Sequence, residues 1–253
     1  MSSPISTRAA EDLALLEEIR AIHETFRFYG SPRVHQELVK RSRRVGRHRV
    51  ARLMRADGIR ARRGKIKSRP RSAPPKRKPE VGDLVRRHFV GETANQIWFT
   101  DLTMIRTGQG MLRAAVILDS HNREVVSWSV SDHETPATAM QGLSEAIRIR
   151  RPARGCIIHS DRGYQFTSHE WADIAAKHGL RVSIGERKQP QDNAMMESWF
   201  ASLKNEEIYP GGQPATFADA RMRLFRYIQL YNNSRMHSAL GYRSPIEYAK
   251  LNQ

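Results

Sequence analysis

The sequence predicts an α/β fold in which a mixed sheet is flanked by helices, with a small all-α domain in front of it. Three consecutive runs of strand-forming residues are followed by alternating helical and strand patterns. Such a meander followed by alternation is typical of a mixed sheet covered by helices. The predicted elements are strands at 96–106, 111–119, 123–131, 155–160 and 180–184, and helices at 135–150, 168–178, 191–206 and 216–233.

Three further helices are predicted before the sheet. Apolar residues recur at helical spacing over 8–28, Tyr29-Gly30-Ser31-Pro32 ends this helix and begins a second, and a third follows a basic turn at 41–46. Two short helices joined by a turn, the second lined with arginine, are typical of helix-turn-helix DNA binding, although a solvated arginine face is the alternative. The arginines predicted to face outward toward DNA are Arg47, Arg49, Arg52 and Arg55.

The positive charge is confined to one part of the chain. Residues 27–80 hold 20 basic and 3 acidic residues, 20 − 3 = +17, which equals the net charge of the whole sequence. This segregation indicates a polyanion-binding module joined to a neutral globular domain, or else a basic arm without a specific partner. The predicted domains are a helical domain at 1–62, a basic Pro-rich linker at 63–88 and a larger domain with a helical tail at 89–253.

Cysteine content and hydropathy exclude several classes of protein. Cys156 is the only cysteine, which excludes disulfides and multi-thiolate metal sites within one chain. No apolar run approaches the roughly 20 residues of a membrane span, and acids occupy the N-terminal stretch where a signal sequence needs an apolar core. We therefore expect a cytoplasmic protein that is located on the nucleoid and has no membrane partner.

Three acids and one lysine are candidate functional residues. Asp101 lies inside a strand pattern, where burial of a carboxylate is costly unless it is paired or bound to a cation. Asp161 follows a short apolar run, and Gly163 after it indicates a strand that ends in an exposed turn. Glu197 and Lys204 are seven residues apart on a predicted helix, so they share one face. Taken alone, this last pair is equally typical of a solvated helix surface.

The order and spacing of these residues resemble the catalytic signature of DDE transposases and retroviral-type integrases. There are 59 residues between Asp101 and Asp161 and 35 between Asp161 and Glu197. The strings WFTDLT, HSDRGYQFTS, DNAMMESWFASLKNE and YNNSRMHSALGYRSPIEY are similar to those of bacterial insertion-sequence transposases encoded by two overlapping reading frames. The chain resembles the downstream product, OrfB, over residues 29–248.

This resemblance implies a ribonuclease-H-like core in which the first strand, the end of the fourth strand and a late helix converge on one site. It implies DNA strand cleavage and 3′-hydroxyl strand transfer at insertion-sequence ends, with Asp101, Asp161 and Glu197 as catalytic metal ligands. Three hard oxygen donors favour Mg²⁺ or Mn²⁺, and the resemblance implies two ions. Lys204 would hold the DNA end. The implied partners are terminal-repeat and target DNA, further copies of this chain, and the product of the upstream reading frame.

Two other functions share part of this pattern. A metal-dependent ribonuclease-H-like nuclease needs the same acids, and a non-enzymatic DNA-binding regulator needs only the basic N-terminal region. Among the remaining polar residues, Asp119 is predicted to be a hairpin-turn residue and His159 a packing residue. For Arg235 and His237 the sequence leaves open whether they contact DNA or cap the preceding helix.

Overall fold

The computed structural model describes residues 6–62, 82–85, 89–185 and 193–252. The chain divides into two compact units, Met1–Lys65 and Ile66–Gln253. Most of the predicted linker at 63–88 lies outside the described residues, so the three domain limits stay a prediction.

The first unit is a three-helix domain. Its helices are α1 (Thr7–Thr25), α2 (Ser31–Lys40) and α3 (Arg47–Ala56). The helix predicted over 8–28 ends at Thr25, because Phe26 leaves helical geometry and its ring stacks on Tyr29 at 4.6 Å between centroids. Val39, predicted to face inward, is 47% exposed. The core of this unit includes Leu15, Ile19, Ile22, Phe26, Phe28, Tyr29, Val34, Leu38, Val50, Leu53 and Met54.

The second unit is built on a five-stranded mixed sheet, as predicted. Its strands are β1 (Ile97–Thr107), β2 (Gly110–Asp119), β3 (Val125–Ser131), β4 (Ile157–Ser160) and β5 (Arg181–Ile184). Their order in the sheet is β3-β2-β1-β4-β5. The pairs β1–β2 and β2–β3 are antiparallel, whereas β1–β4 and β4–β5 are parallel. The strands predicted from alternation agree with the observed strands to within two residues at each end.

Helices cover both faces of this sheet. Trp98 and Ile117 pack in one cluster with residues of α4 (Pro136–Arg150) and α5 (His169–Lys177). Phe99 and Ile105 pack on the opposite face with residues of α6 (Ala194–Leu203) and α7 (Phe217–Asn233). Because successive strand residues point to opposite faces, the odd-numbered residues of β1, Asp101 among them, lie on the α6 side.

The C-terminal part differs from the prediction in three respects. The helix predicted over 191–206 begins at Ala194 and ends at Leu203, and a single π-helical turn, Lys204–Ile208, continues it. A further helix, α8 (Pro245–Leu251), was not predicted. Met222 and Phe225 of α7, expected to face inward, are 47% and 44% exposed, because the buried stripe of α7 is formed by Ala220, Leu224, Tyr227, Ile228 and Tyr231.

Within the described ranges, no helix is both long and apolar enough to cross a membrane.

Candidate active site

Asp101 occupies the middle of β1, the central strand of the sheet, on the face that α6 covers. One of its carboxylate oxygens, Oδ1, accepts a hydrogen bond of 2.7 Å from the backbone N–H of Leu102. Strand geometry therefore fixes the direction of this carboxylate, because both its backbone and its side chain are held by neighbouring atoms.

Asp161 follows β4, which lies parallel to β1 with Phe99 opposite His159. Its Oδ1 accepts a hydrogen bond of 2.9 Å from the backbone N–H of Gly163. A Cβ atom at Gly163 would lie 3.0 Å from this oxygen and closer still to Nε2 of Gln165, so a side chain there would push into both groups. A side chain at position 163 would therefore have to displace the Gln165 amide and would crowd the Asp161 carboxylate.

The electrostatics of Asp101 show which residues surround it. Burial raises the pKa of the Asp101 carboxyl well above its usual range, and the charges of Asp161 and Glu197 raise it further. The Leu102 N–H and the Lys204 ammonium act in the opposite direction on this pKa. The four residues singled out by sequence spacing are thus electrostatic neighbours in the fold.

Asp161 is exposed as a residue, but neighbouring atoms partly desolvate its carboxylate. This desolvation raises the pKa of the carboxyl, while the Gly163 N–H and His159 partly offset the effect. Two neighbouring carboxylates with raised pKa values are typical of functional sites. A cation bound by both carboxylates would lower both pKa values.

Asn193, at the start of α6, connects this helix to the central strand. Its side-chain amide donates a 3.3 Å hydrogen bond to the backbone oxygen of Thr100, the residue before Asp101. Asn193 is 8% exposed, and its Oδ1 accepts no hydrogen bond from the part of the chain that is described. The one signal in the sequence was its position four residues before Glu197, on the same helix face.

The carboxylates supply the oxygen donors that Mg²⁺ and Mn²⁺ prefer. Asp101 is half-buried, and the charges of two further acids act on its carboxylate, which fits a site that takes a cation. Among the described residues, no three His, Cys, Asp or Glu side chains are close enough together to hold a metal ion as they stand. Glu197 is exposed on α6, and Lys204 is half-buried at the start of the π turn.

Two other polar residues of the core, His159 and Asp119, make contacts that stabilise the fold. His159 is fully buried, and its Nδ1 is 2.8 Å from Oγ of Ser183 on the neighbouring strand. Asp119 ends β2 and is 2% exposed. Its carboxylate accepts hydrogen bonds from the backbone N–H groups of Asn95 at 2.7 Å and His121 at 2.9 Å. These contacts agree with the packing and turn roles expected from the sequence.

The arginines of α3 fall into two groups. Arg49 and Arg52 form ion pairs with Asp12 of α1 at 2.7 and 2.6 Å. Hydrogen bonds from Arg52 and Arg49 hold the pKa of the Asp12 carboxyl below its usual range. The acidic start of α1 packs beside these two side chains, yet Arg52 is still 53% exposed and Arg49 is 30% exposed. Arg47 and Arg55 are exposed. Contact of the four arginines with DNA stays a prediction.

Comparison with known families defines the class of protein. Residues 91–190 match the integrase core domain family, residues 178–245 match a second integrase core domain family, and residues 10–67 match the HTH-like domain family. The catalytic core domain of HTLV-2 integrase, solved in complex with magnesium in a trimeric form, superposes with a TM-score of 0.50, 16% identity, 63% of this chain and 99% of that one. The chain is thus a helix-turn-helix-like unit followed by an integrase core.

Three more comparisons narrow the class of protein. An intasome structure of simian T-cell lymphotropic virus with PP2A regulatory subunit B56 gamma contains a chain that matches at a TM-score of 0.54 and 16% identity, over 91% of this chain and 74% of that one. The transposase for insertion sequence element IS904 of Lactococcus lactis is 33% identical over 251 residues, 98% of each chain. Transposase InsF for IS3A of Escherichia coli is 34% identical over 225 residues, 88% of this chain and 77% of the relative. The chain belongs to the family of insertion-sequence transposases, which confirms the resemblance, the ribonuclease-H-like fold and the transposase function.

Proposed function

We propose that this transposase cuts DNA at the ends of its insertion sequence and joins the freed 3′-hydroxyls to target DNA, with Asp101, Asp161 and Glu197 as its metal ligands. The observation that carries this proposal is the electrostatic coupling of Asp101 to both other acids. Like charges gathered around a partly desolvated carboxylate are costly in the absence of a cation. The convergence of Asp161 and Glu197 on Asp101 therefore supports a metal-binding role.

Each of the three acids has a distinct part in this scheme. Asp101 would hold the metal from the central strand, Asp161 from the turn after β4 and Glu197 from α6, and we propose that they bind two ions together. Mg²⁺ or Mn²⁺ bound there would polarise the scissile phosphate and stabilise the attacking and leaving oxygens. Asn193 would hold the start of α6 against β1, which keeps Glu197 within reach of Asp101.

The chemistry requires no covalent intermediate with the protein. In cutting, a water oxygen forms a bond to phosphorus as the 3′-oxygen of the element end leaves with a proton. In joining, that 3′-hydroxyl forms the new phosphodiester bond, and a target-strand oxygen leaves. The same carboxylates serve both steps, because the geometry at phosphorus is the same. Assembly of further copies of this chain on DNA, and cooperation with the upstream reading-frame product, are part of this proposal.

A cleavage assay tests the proposed function. The full chain would be incubated with labelled element ends and Mg²⁺, with and without the upstream reading-frame product. We expect a nick at the element end that disappears when EDTA replaces the metal. A metal-independent nick, or intact ends under every condition, would contradict the proposal.

Lys204 is proposed to hold a phosphate of the DNA end, since its ammonium, like the Glu197 carboxylate, acts electrostatically on Asp101. Replacing Lys204 with alanine should slow end-specific cleavage by about 10- to 100-fold, because a hydrogen bond to a charged group is worth roughly 1.5–3 kcal/mol. Lys204→Arg should restore part of the rate, since charge survives while geometry changes. Single-turnover cleavage at saturating DNA measures this effect.

The matched control for this prediction is Lys177→Ala, which removes an exposed lysine from the last turn of α5. Its cleavage rate should equal that of the wild type. Equal cleavage rates for the wild type and Lys204→Ala, with the same preference for element ends, would show that Lys204 is a surface residue without a role in end binding.

The raised pKa of Asp101 predicts how the metal-free protein responds to pH. The folded state holds this proton more tightly than the unfolded chain does, so ionising Asp101 costs stability as pH rises from the unfolded value of about 3.9 toward the folded pKa. Asp101→Asn removes that cost and keeps an oxygen that can accept the Leu102 N–H. In EDTA at pH 7 the variant should melt higher than the wild type, by about 2–4 °C for each ~1 kcal/mol relieved.

The same comparison near pH 4 is the internal control, because the wild-type carboxyl is then protonated in the folded protein and the difference in Tm should shrink. Adding Mg²⁺ at pH 7 should raise the Tm of the wild type and leave that of Asp101→Asn nearly unchanged. A variant that melts lower than the wild type at pH 7 in EDTA would show that Asp101 is not under electrostatic strain.

A further inference from the structure

A buried ion pair links the helix that carries Glu197 to the chain that follows α7. Glu206 lies in the π turn that continues α6, and Arg235 lies two residues beyond α7. Nε and one terminal nitrogen of Arg235 donate to the two carboxylate oxygens of Glu206 at 2.7 and 2.6 Å. The Arg235 and Glu206 side chains are only 5% and 9% exposed. This bidentate arrangement is the strongest geometry available to such a pair.

The surrounding groups extend the interaction to three elements. The Tyr227 hydroxyl of α7 donates to Glu206 at 3.0 Å, and the guanidinium lies 5.5 Å from the ring centroid of Tyr231. Arg235 also approaches Oγ of Ser202, in the last turn of α6, at 3.4 Å. His237 is buried beside it, at 6% exposure. The two residues whose role the sequence left open thus lie inside the core, against the end of α6.

Stability alone is a poor explanation for this pair. Desolvating two charges offsets most of their attraction, so replacing a buried ion pair with neutral groups of similar volume is often harmless to stability. A charged pair does fix geometry, because the carboxylate must meet both guanidinium nitrogens at once. The geometry it fixes here is that of a π turn, which is rare and occurs frequently at functional sites.

The position of the pair along the helix indicates what depends on it. Glu206 is nine residues after Glu197 and two after Lys204, and α6 runs into the π turn without a break. The start of α6 is held against β1 through Asn193. Arg235 holds the other end, through Ser202 and Glu206. Both ends of the segment that presents Glu197 and Lys204 to Asp101 are therefore anchored by buried polar side chains.

We propose that Arg235 is a positioning residue for the active site. It acts through Glu206 and Ser202, and it keeps Glu197 and Lys204 directed toward Asp101. This inference rests on the proposed function, because Arg235 is inferred to position residues of the proposed metal site. Loss of the ion pair leaves the fold intact but allows the end of α6 to shift. This shift weakens both metal binding and binding of the DNA end.

The test compares the full-length wild type with Arg235→Lys and with the double variant Glu206→Gln/Arg235→Met. The double variant removes both charges together and keeps an oxygen that can accept the Tyr227 hydroxyl, so no buried charge is left unpaired. Arg235→Lys keeps the charge but cannot form the bidentate pair of hydrogen bonds. Arg148→Met, which breaks an exposed pair with Glu145 on α4, is the matched control.

Two quantities are measured for each protein: the Mn²⁺ concentration that gives half-maximal thermal stabilisation, and the cleavage rate with labelled element ends. For the double variant we expect a Tm in EDTA close to that of the wild type. Its Mn²⁺ midpoint should rise and its cleavage rate should fall, each by about 10- to 100-fold, the usual cost of losing a group that orients a metal ligand. Arg235→Lys should give an intermediate loss, and Arg148→Met should match the wild type.

A double variant that keeps the wild-type Mn²⁺ midpoint and cleavage rate would overturn the inference. If the double variant does not fold, Arg235→Lys decides: a folded protein with wild-type values of both quantities also overturns it. Failure of the proposed function is a different result, in which the wild type itself shows neither stabilisation by Mn²⁺ nor cleavage.

Discussion

Replacing Glu197 with glutamine should abolish DNA cleavage and strand joining while leaving DNA affinity essentially unchanged. The amide keeps the size of the side chain but removes the negative charge that a divalent cation needs. Because a metal contributes several kcal/mol to phosphoryl transfer and each 1.36 kcal/mol is tenfold in rate, cleavage should fall by roughly 10³-fold or more. Single-turnover cleavage of labelled element ends measures the loss, and a gel-shift titration measures binding.

Glu170→Gln is the matched control, because it neutralises an exposed acid in the first turn of α5. It should cleave at the wild-type rate. Near-normal cleavage by Glu197→Gln would show that Glu197 is not part of the active site. A loss of DNA affinity as large as the loss of cleavage would show that the substitution acts on the fold.

Removing residues 1–80 should eliminate most of the affinity for DNA. The segment 27–80 carries +17, whereas a chain that begins at residue 81 has 21 basic and 18 acidic residues, a net charge of only 21 − 18 = +3. Each neutralised phosphate contributes about 0.9 to the slope of log affinity against log salt. The slope should therefore change from roughly −6 or steeper in the full chain to near zero.

Circular dichroism of the shortened chain controls for loss of the core fold. A finer version replaces Arg47 and Arg55 with alanine in the full chain, and each phosphate that is no longer neutralised should reduce the slope by about one. Arg49→Ala should lower the Tm instead, since it breaks the ion pair with Asp12. Equal affinity and salt slope in the shortened and full chains would place DNA binding in the integrase core.

The sheet could be predicted closely because its signal is local. Runs of strand-forming residues indicate β1 to β3, and short apolar runs indicate β4 and β5, so each strand can be predicted without knowledge of its partners. The errors lie where long-range packing decides the outcome. Met222 and Phe225 are apolar, yet the buried stripe of α7 is already complete without them. The short helix α8 has too few residues to show a period.

In the candidate site, too, the sequence identifies residues with a local signal and misses those whose role depends on long-range contacts. The spacing of Asp101, Asp161 and Glu197 can be recognised in the sequence because each acid lies within or directly after a predictable element. Asn193 was missed because its partner, Thr100, is 93 residues away. The tail residue Arg235 could not be assigned for the same reason, since Glu206 is 29 residues earlier. For Arg49 and Arg52, the helical pattern of α3 does not show that acids of α1 lie beside them.

The central claim is that one site, formed by Asp101, Asp161 and Glu197, both cuts and joins DNA. The most direct measurement supplies element ends that are already cut and carry a free 3′-hydroxyl, together with unlabelled target duplex, Mg²⁺ and the upstream reading-frame product. Wild-type protein should give labelled products covalently joined to the target, and Asp161→Asn should give none. Hydrolysed DNA without joined products would contradict the account in favour of a nuclease, and joining by Asp161→Asn would place the chemistry elsewhere.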